Sequence, residues 1–266
     1  MKRYKIVNRS QEENTLLKYL ADEEVEIFDI TMLRKLTSGK LSNVQSVVEQ
    51  LAKRTPYFIH RIEKGKYVKG NFRNEYVIGN FLAEDGVIAY WTALNLHGLT
   101  EQFPNTIFVQ TVRQKRQTTV FGVSYKFIKV KKEKMTGVEM QGHGNNRFRI
   151  TDKEKTIVDC FDLPEYSGGF EELIRAFVST VLDAKKMITY CEEVNNASAI
   201  KRMGYLAELF KKENFEHFIA YALTKVNERY SLFDGAGKNE GKHIRRWKLR
   251  LNISEQNILA IADNLY

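Results

Sequence analysis

The sequence predicts an α+β protein with a small N-terminal domain over residues 1–70 and a larger domain over residues 71–266. Three observations support this prediction. Apolar residues recur at helical spacing in three short segments, and strand-forming residues follow on both sides of Gly65. A polar stretch that contains Gly70 then leads into a longer region, where strand patterns precede helical patterns.

The N-terminal domain begins with two predicted helices, one over residues 11–21 and a second that Asp29 caps at its start. A break at residues 37–40 separates the second helix from a third. We expect Ser42 to be the N-cap of the third helix and Gln45 to complete a capping box. The apolar positions of this helix recur at i, i+3, i+4 and i+7 and form one face: Val44, Val47, Val48 and Leu51.

A predicted hairpin follows the third helix, with strands over residues 57–62 and 66–68 and a turn at Gly65. Two helices, a short turn, a third helix and a hairpin are the element order of a winged helix-turn-helix domain. We therefore expect the N-terminal domain to bind DNA with its third helix in the major groove.

The polar side of the third helix carries the predicted base-reading groups, because Asn and Gln amides bond adenine in the major groove. Cations before the helix and on the hairpin are placed to contact phosphates or the minor groove. The predicted DNA-binding residues are Lys40, Ser42, Asn43, Gln45, Ser46, Gln50, Lys53, Arg61, Lys64 and Lys66. Any surface helix has a polar outer side, however, and some winged helices bind only proteins, so a protein-interaction adaptor stays open as an alternative.

The charge of the chain favours a polyanionic partner. The formal net charge is +9, and residues 1–70 hold 14 Lys and Arg against 9 Asp and Glu, a net +5. Basic side chains release counterions from a phosphate backbone when they bind it. More than half of the excess positive charge therefore lies in the domain that we expect to bind DNA.

The second domain is predicted to be α+β with a helical C-terminal part. We expect helices over residues 74–82 and 86–96, a strand over 106–112, a hairpin over 118–130 that turns at Gly122, and weaker strands over 135–141 and 147–150. From Asp152 the pattern is helical nearly to residue 230. A strand over 246–253 and a short helix capped by Ser254 complete the prediction.

A second basic stretch lies within residues 113–134, with aromatic residues interleaved. Two interpretations are open. The stretch forms a second nucleic-acid surface, for flanking DNA or for RNA, or it is a sheet edge that lysines protect from pairing. In the first interpretation the contacting residues are Arg113, Lys115, Arg116, Lys126, Lys129 and Lys131.

The sequence predicts no enzyme, no cofactor and no metal site. Asp152, Glu154 and Asp159 would serve as metal ligands in a nuclease targeted by the winged helix, which is an alternative function. We instead expect Thr151 and Glu154 to form a capping box at the start of a helix.

The sequence also bears on the compartment in which the protein acts. The basic segment over residues 1–10 is not followed by an apolar stretch, and no run of about 20 apolar residues occurs. The two cysteines, Cys160 and Cys191, are expected to be reduced, buried thiols. We therefore expect a cytoplasmic protein with no membrane partner.

Four segments, which together span nearly the whole chain, carry a resemblance to a known family. They are the N-terminal helices with the hairpin that ends in Gly65-Lys66-Tyr67, residues 88–99 (IAYWTALNLHGL), residues 148–162 with 164–169 (FRITDKEKTIVDCFD, PEYSGG), and residues 246–252 (RWKLRLN). The chain resembles the AbiEi family, antitoxins of type IV toxin–antitoxin (abortive infection) systems. The part of the resemblance that is most specific to this family is the third segment, residues 148–162 with 164–169.

The resemblance implies a transcriptional autorepressor whose N-terminal domain binds inverted repeats in its own promoter as a homodimer or as two copies. It also implies that residues 71–266 form an AbiEi-like antitoxin domain. This domain is expected to counteract a nucleotidyltransferase-like toxin, encoded by a neighbouring gene, without forming a stable complex with it.

Overall fold

The fold is mixed α+β in the computed structural model of the chain, which describes residues 10–263, so the basic segment over residues 1–9 lies outside the described residues. None of the described helices is both long and apolar enough to cross a membrane. The α-helices are α1 (Gln11–Asp22), α2 (Ile30–Thr37), α3 (Val44–Arg54), α4 (Glu75–Leu82), α5 (Tyr90–Leu96), α6 (Lys153–Asp162), α7 (Phe170–Ser179), α8 (Ala184–Val194), α9 (Ala197–Leu209), α10 (Glu216–Thr224) and α11 (Glu255–Asp263). The strands are β1 (Ile27–Asp29), β2 (Ile59–Glu63), β3 (Lys66–Lys69), β4 (Val87–Ile88), β5 (Thr106–Thr111), β6 (Thr118–Val120), β7 (Val123–Lys129), β8 (Val138–Gln141), β9 (Phe148–Thr151), β10 (Ser231–Leu232), β11 (Lys242–Ile244) and β12 (Leu249–Leu251). Single 3₁₀ turns occur at Lys132–Lys134, Gly144–Asn146 and Pro164–Tyr166.

The first three helices and the first three strands form an N-terminal unit around an apolar cluster of their own. Leu16 of α1, Leu33 of α2 and Val48 of α3 are fully buried in this cluster. β3 lies between β1 and β2, and both pairings are antiparallel. The sequence pattern predicts β2 and β3 but misses β1, because three residues are too few for an alternation to be recognised.

The connection between α2 and α3 follows the prediction. The Asp29 carboxylate accepts a hydrogen bond from the Met32 amide at 2.8 Å and so caps α2. Ser38 and Gly39 have left-handed φ values of 47° and 77°. A helix cannot continue through two such residues, so α2 ends there.

The predicted capping box at the start of α3 is wrong. The N-cap is Asn43, whose Oδ1 accepts from the Ser46 amide at 3.1 Å. The Ser42 hydroxyl instead donates to Glu12 Oε1 of α1 at 2.8 Å, and the Gln45 amide donates to Glu49. Asn and Ser are both good N-caps, so the neighbouring carboxylate on α1, which the local sequence does not reveal, decides between them.

A six-stranded sheet in the order β6-β7-β5-β4-β9-β8 forms the middle of the remaining chain, with parallel pairing of β5 to β7 and of β4 to β9. Side chains alternate between its two faces. Val109 and Phe127 pack with α4, whereas Phe108 and Ile128 join the cluster formed by the later helices. Val68 of β3 belongs to the α4 cluster, so the N-terminal unit packs on the α4 side of the sheet.

The predicted helix over residues 86–96 begins only at Tyr90. Val87 and Ile88 form β4, which pairs with both β5 and β9. Periodicity does not distinguish a fully buried strand of two residues from the first turn of a buried helix. Tyr90 has a left-handed φ of 55° and redirects the chain from β4 into α5.

The helical C-terminal part extends from α6 to α10, as the pattern predicts, and ends in a small sheet of order β10-β12-β11. Gly204 in α9 leaves room for the buried Trp247 ring, because a Cβ at this glycine would lie 2.4 Å from the indole. The indole nitrogen donates to Glu208 Oε2 at 2.6 Å. Trp247 thus attaches the small sheet to the helical layer.

Candidate nucleic-acid interface

Helix α3 presents a polar outer face beside its apolar one. Val44, Val47, Val48 and Leu51 are buried, as predicted, and they direct this face away from the core. Gln45 and Gln50 are exposed on it. Their amides donate only to neighbours on the same helix, Gln45 to Glu49 Oε1 at 3.1 Å and Gln50 to Ser46 Oγ at 3.3 Å. Such exposed bonds exchange readily for bonds to a partner, because water competes with them already.

The two polar groups of the Asn43 side chain have different surroundings at the start of α3. Its Oδ1 is engaged as the N-cap, whereas its side-chain amide group is exposed at the first turn of the helix. Lys40 is exposed just before this turn, with its ammonium 5.6 Å from the centroid of the Tyr19 ring. A hydrogen bond with the Tyr19 hydroxyl, followed by the charge of that group, raises the pKa of Lys40. Lys40 is therefore positively charged at neutral pH.

A cleft of about 260 Å³ lies between α3 and β2. Lys53 of α3 and Arg61 of β2 both line it, so the structure brings together two cations that are eight positions apart in the sequence. Both are exposed, and within residues 10–263 neither forms an ion pair. Arg61 Nε donates to the Glu63 carbonyl at 3.3 Å, and Lys64 is exposed at the adjacent turn. This cationic edge borders the polar face of α3.

The structure separates Lys66 from the other predicted DNA-binding residues. Its ammonium donates to the carbonyls of Phe81, at 3.0 Å, and Leu82, at 2.6 Å, at the end of α4. It also lies 3.3 Å from a carboxylate oxygen of Glu63. All three N–H groups of the ammonium therefore have partners within the fold, and Lys66 attaches the hairpin to the rest of the chain.

The first part of the second basic stretch lies beside the hairpin. The Lys115 ammonium pairs with the Glu63 carboxylate, and Arg113 pairs with Glu84 at 2.7 Å. Arg116 is exposed and has no hydrogen bond or ion pair among the residues described in the structure. Of the three cations, Arg116 has the most freedom to contact a polyanion.

The second part of this stretch is separate from the first. The Lys126 ammonium lies 4.6 Å from the centroid of the Tyr166 ring, which packs against the helical layer. Lys129 and Lys131 are exposed beyond it, and Lys131 lines a groove beside the start of α9. The two parts therefore do not form one uniform face of the sheet.

Sequence reasoning missed three residues that line the cleft between α3 and β2: Glu49, His60 and Tyr67. The Tyr67 side chain is fully buried, and within residues 10–263 its hydroxyl has no hydrogen-bond partner. Burial, and then the charge of Arg73, lower the pKa of His60, so its imidazole is neutral at pH 7. The alternation of β3 places Tyr67 on the inner side of the sheet, but no local signal shows that α3 packs over this strand.

The predicted capping box at the start of α6 is also wrong. Asp152 is the N-cap and accepts from the Lys155 amide at 2.8 Å. Thr151 Oγ1 lies 2.7 Å from Thr156 Oγ1, and Glu154 accepts from the Asp183 amide at 3.0 Å. A Thr-x-x-Glu spacing is compatible with a box, but Asp at the next position is a better N-cap than Thr.

The carboxylates of the nuclease alternative have separate partners. Asp152 Oδ2 accepts from the Tyr190 hydroxyl at 2.7 Å, and Asp159 forms a buried ion pair with Lys155. Burial raises the pKa of Asp159, while the adjacent ammonium opposes this shift. Among the residues that the structure describes, no three His, Cys, Asp or Glu side chains are grouped so that they could hold a metal ion.

No family model matches the sequence, and no curated protein matches it either. The solved structure of the RV2827C protein from Mycobacterium tuberculosis has a similar fold, with a TM-score of 0.62 and 14% sequence identity. The match covers 97% of this chain and 96% of that chain. At this identity the similarity shows the fold alone, so the function is inferred below from the surfaces of the molecule.

Proposed function

We propose that this protein is a DNA-binding transcriptional regulator and that its N-terminal unit is a winged helix-turn-helix domain. The observation that carries the proposal is the polar face of α3, which has exposed amides in its first turns and the cationic edge of β2 beside it. The arrangement of the unit supports it, because β1 pairs with β3 behind the three helices and the β2–β3 hairpin follows α3.

In this proposal α3 enters the major groove and its amides read base edges. Gln45 and Gln50 each offer a donor and an acceptor, the combination that adenine pairs with in the groove. Asn43 contributes its amide group while its oxygen continues to cap the helix. Ser46 lies between them and bonds either donors or acceptors.

The cations around α3 hold the phosphate backbone without reading the sequence. Lys40 lies before the helix, Lys53 lies in its last turn, and Arg61 and Lys64 follow it. Arg116 continues this cationic surface beyond the hairpin, since its neighbour Lys115 pairs with Glu63. Lys66 makes no DNA contact in this arrangement, because its ammonium is bonded within the fold.

We further propose, on the resemblance to the AbiEi family, that the DNA is the promoter of the protein's own operon. Two copies would occupy an inverted repeat there, since paired half-sites require paired reading helices. Residues 71–266 would then supply the antitoxin activity against a nucleotidyltransferase-like toxin.

The test is a titration of the protein against the DNA just upstream of its gene and against a scrambled probe. We expect the Gln45→Ala, Gln50→Ala double variant to lose about 30-fold or more in affinity for the native probe, because each of the two paired contacts to a base contributes about 1–3 kcal/mol of discrimination. Binding to the scrambled probe should stay the same, since the phosphate contacts remain. Gln256→Ala on α11 is the matched control and should bind like the wild type.

Equal binding of both probes by the wild type would contradict sequence-specific reading by α3. Binding that does not weaken with salt would argue for a protein-interaction adaptor, because a DNA complex loses affinity in proportion to the number of phosphates it neutralises.

A further inference from the structure

The cleft between α3 and β2 combines three features that together describe a binding site. Two exposed cations, Lys53 and Arg61, line it. Its wall includes Ile59 and Ala52, which are apolar. Its inner end reaches Tyr67 of β3, a fully buried tyrosine whose ring stacks on Phe28 with centroids 5.9 Å apart.

The Tyr67 hydroxyl is an unpaired donor. It is buried and has no hydrogen-bond partner among the residues that the structure describes. Leaving a hydroxyl unpaired in the interior destabilises a fold, and Phe would fill the same space without this cost. Tyr67 differs from the other buried tyrosines without a partner, such as Tyr125, because it lines a cleft that two cations also line. A group that enters this cleft can supply the partner that the hydroxyl lacks.

The charges around the hydroxyl identify the chemistry of that partner. Glu49 and Arg61 line the cleft together with Tyr67. Burial raises the pKa of Tyr67, and the charge of Glu49 raises it further, whereas the charge of Arg61 lowers it. In the free protein the Glu49 carboxylate accepts a hydrogen bond from the Gln45 amide at 3.1 Å, and its negative charge opposes an anion in the cleft. Lys53 and Arg61 have no carboxylate partner among the described residues, which leaves two cations and one neutral O–H donor for an incoming group. A phosphate oxygen accepts from all three.

We propose that this cleft holds a phosphodiester of the DNA backbone, with the Tyr67 hydroxyl as its innermost donor and Lys53 and Arg61 on either side. The inference rests on the proposed function, because the cleft opens beside the face of α3 that we place in the major groove. In the complex the phosphate accepts from the Tyr67 hydroxyl. The complex thereby satisfies a donor that the free protein leaves unpaired.

Tyr67→Phe tests this proposal directly, since it removes one oxygen atom. We expect the variant to be as stable as the wild type or more stable, because no hydrogen bond is lost in the free protein. Its affinity should fall about tenfold for native and scrambled probes alike, as expected for loss of a hydrogen bond to a charged acceptor that carries no sequence information. Tyr125→Phe, which removes another buried hydroxyl without a partner, is the matched control and should leave DNA binding unchanged.

Probes with a single neutral methylphosphonate locate the contact. At one backbone position the substitution should weaken Tyr67→Phe less than it weakens the wild type, because the two changes have the hydrogen bond of the hydroxyl in common while the contacts of Lys53 and Arg61 remain in the variant. Arg61→Gln should show the same coupling. It should also reduce the slope of log affinity against log salt concentration by about one, as expected when one phosphate contact is lost. Glu49→Gln should raise the affinity, since it removes a negative charge beside the phosphate.

Two results would overturn the proposal: a Tyr67→Phe protein that binds both probes like the wild type, or one whose melting temperature falls while its affinity is retained. If the wild type binds no DNA at all, the proposed function fails, and a titration with inorganic phosphate decides the inference separately. A rise in melting temperature with phosphate that is absent in Tyr67→Phe would keep a phosphate site in the cleft, and no rise would reject it.

Discussion

Helices α3 and α6 are similar in length, 11 and 10 residues, but they place their polar side chains in opposite surroundings. On α3 the amides of Gln45 and Gln50 are exposed and bond only to neighbours on the same helix. On α6 the ammonium of Lys155 and the carboxylate of Asp159 are both completely buried and pair with each other. The difference separates polar groups that face the solvent from polar groups that the fold encloses.

The buried pair on α6 belongs to a network of four buried side chains. Gln110 of β5 donates from one side-chain nitrogen to Asp159 Oδ2 and to the Tyr90 hydroxyl, both at 3.2 Å. These four side chains connect the central sheet, α5 and α6 without reaching the surface. A buried network of this kind specifies how elements pack, because any shift leaves a charge unpaired. We therefore expect changes on α6 to alter stability and changes on α3 to alter binding.

The largest expected effect is that of Asp159→Ala. It leaves the Lys155 ammonium buried without a counter-charge, which typically lowers the free energy of unfolding by about 3–5 kcal/mol. Urea unfolding at neutral pH measures the loss. The double variant Lys155→Met, Asp159→Leu should recover most of it, since similar-sized apolar side chains carry no charge to desolvate. A loss below about 1 kcal/mol in the single variant would mean that the pair contributes as little as an exposed one.

The next largest effect on stability is expected at Lys66, which lies at the contact between the β2–β3 hairpin and α4. Lys66→Met keeps most of the side chain but leaves the carbonyls of Phe81 and Leu82 without their donor, so we expect a loss of about 1–3 kcal/mol in the free energy of unfolding. Lys64→Met, two positions earlier and exposed, is the matched control and should change stability by less than about 0.5 kcal/mol. In DNA binding the order should reverse, with Lys64→Met the weaker binder. Equal effects of the two variants on stability would contradict the structural role of Lys66.

The contrast between Lys64 and Lys66 also shows what the sequence reveals and what it does not. Both lysines stand in one basic hairpin, so composition and turn chemistry assign them the same role. Their difference depends on α4, which begins nine positions after Lys66 and whose last carbonyls point back at it. Helix ends and the hairpin turn could be predicted because their signals are local: Asp29 at α2, Asn74 at α4, Ser254 at α11 and Gly122 between β6 and β7.

Features made by distant segments could not be predicted in this way. β1 is identified by its pairing with β3, about 40 positions later, and β4 by its place between β5 and β9. The cleft beside α3 requires Lys53, Arg61 and Tyr67 to meet from three elements. For the candidate site, the polar face of α3 follows from periodicity, whereas the buried hydroxyl of Tyr67 becomes apparent only when α3 is packed over the sheet.

The smallest expected effect concerns Asn43. Its side-chain oxygen is bonded within the fold as the cap of α3, whereas its amide group is exposed. Asn43→Ala should lower the free energy of unfolding by about 1 kcal/mol through loss of the cap, and it should also weaken specific DNA binding. Asn43→Asp separates the two roles. The carboxylate still accepts from the Ser46 amide and interacts favourably with the positive end of the helix, so stability should match the wild type. DNA binding should fall further than in the alanine variant, because the new charge faces a polyanion. If Asn43→Asp binds the native probe like the wild type, Asn43 acts only as a cap, and base reading by α3 begins at Gln45.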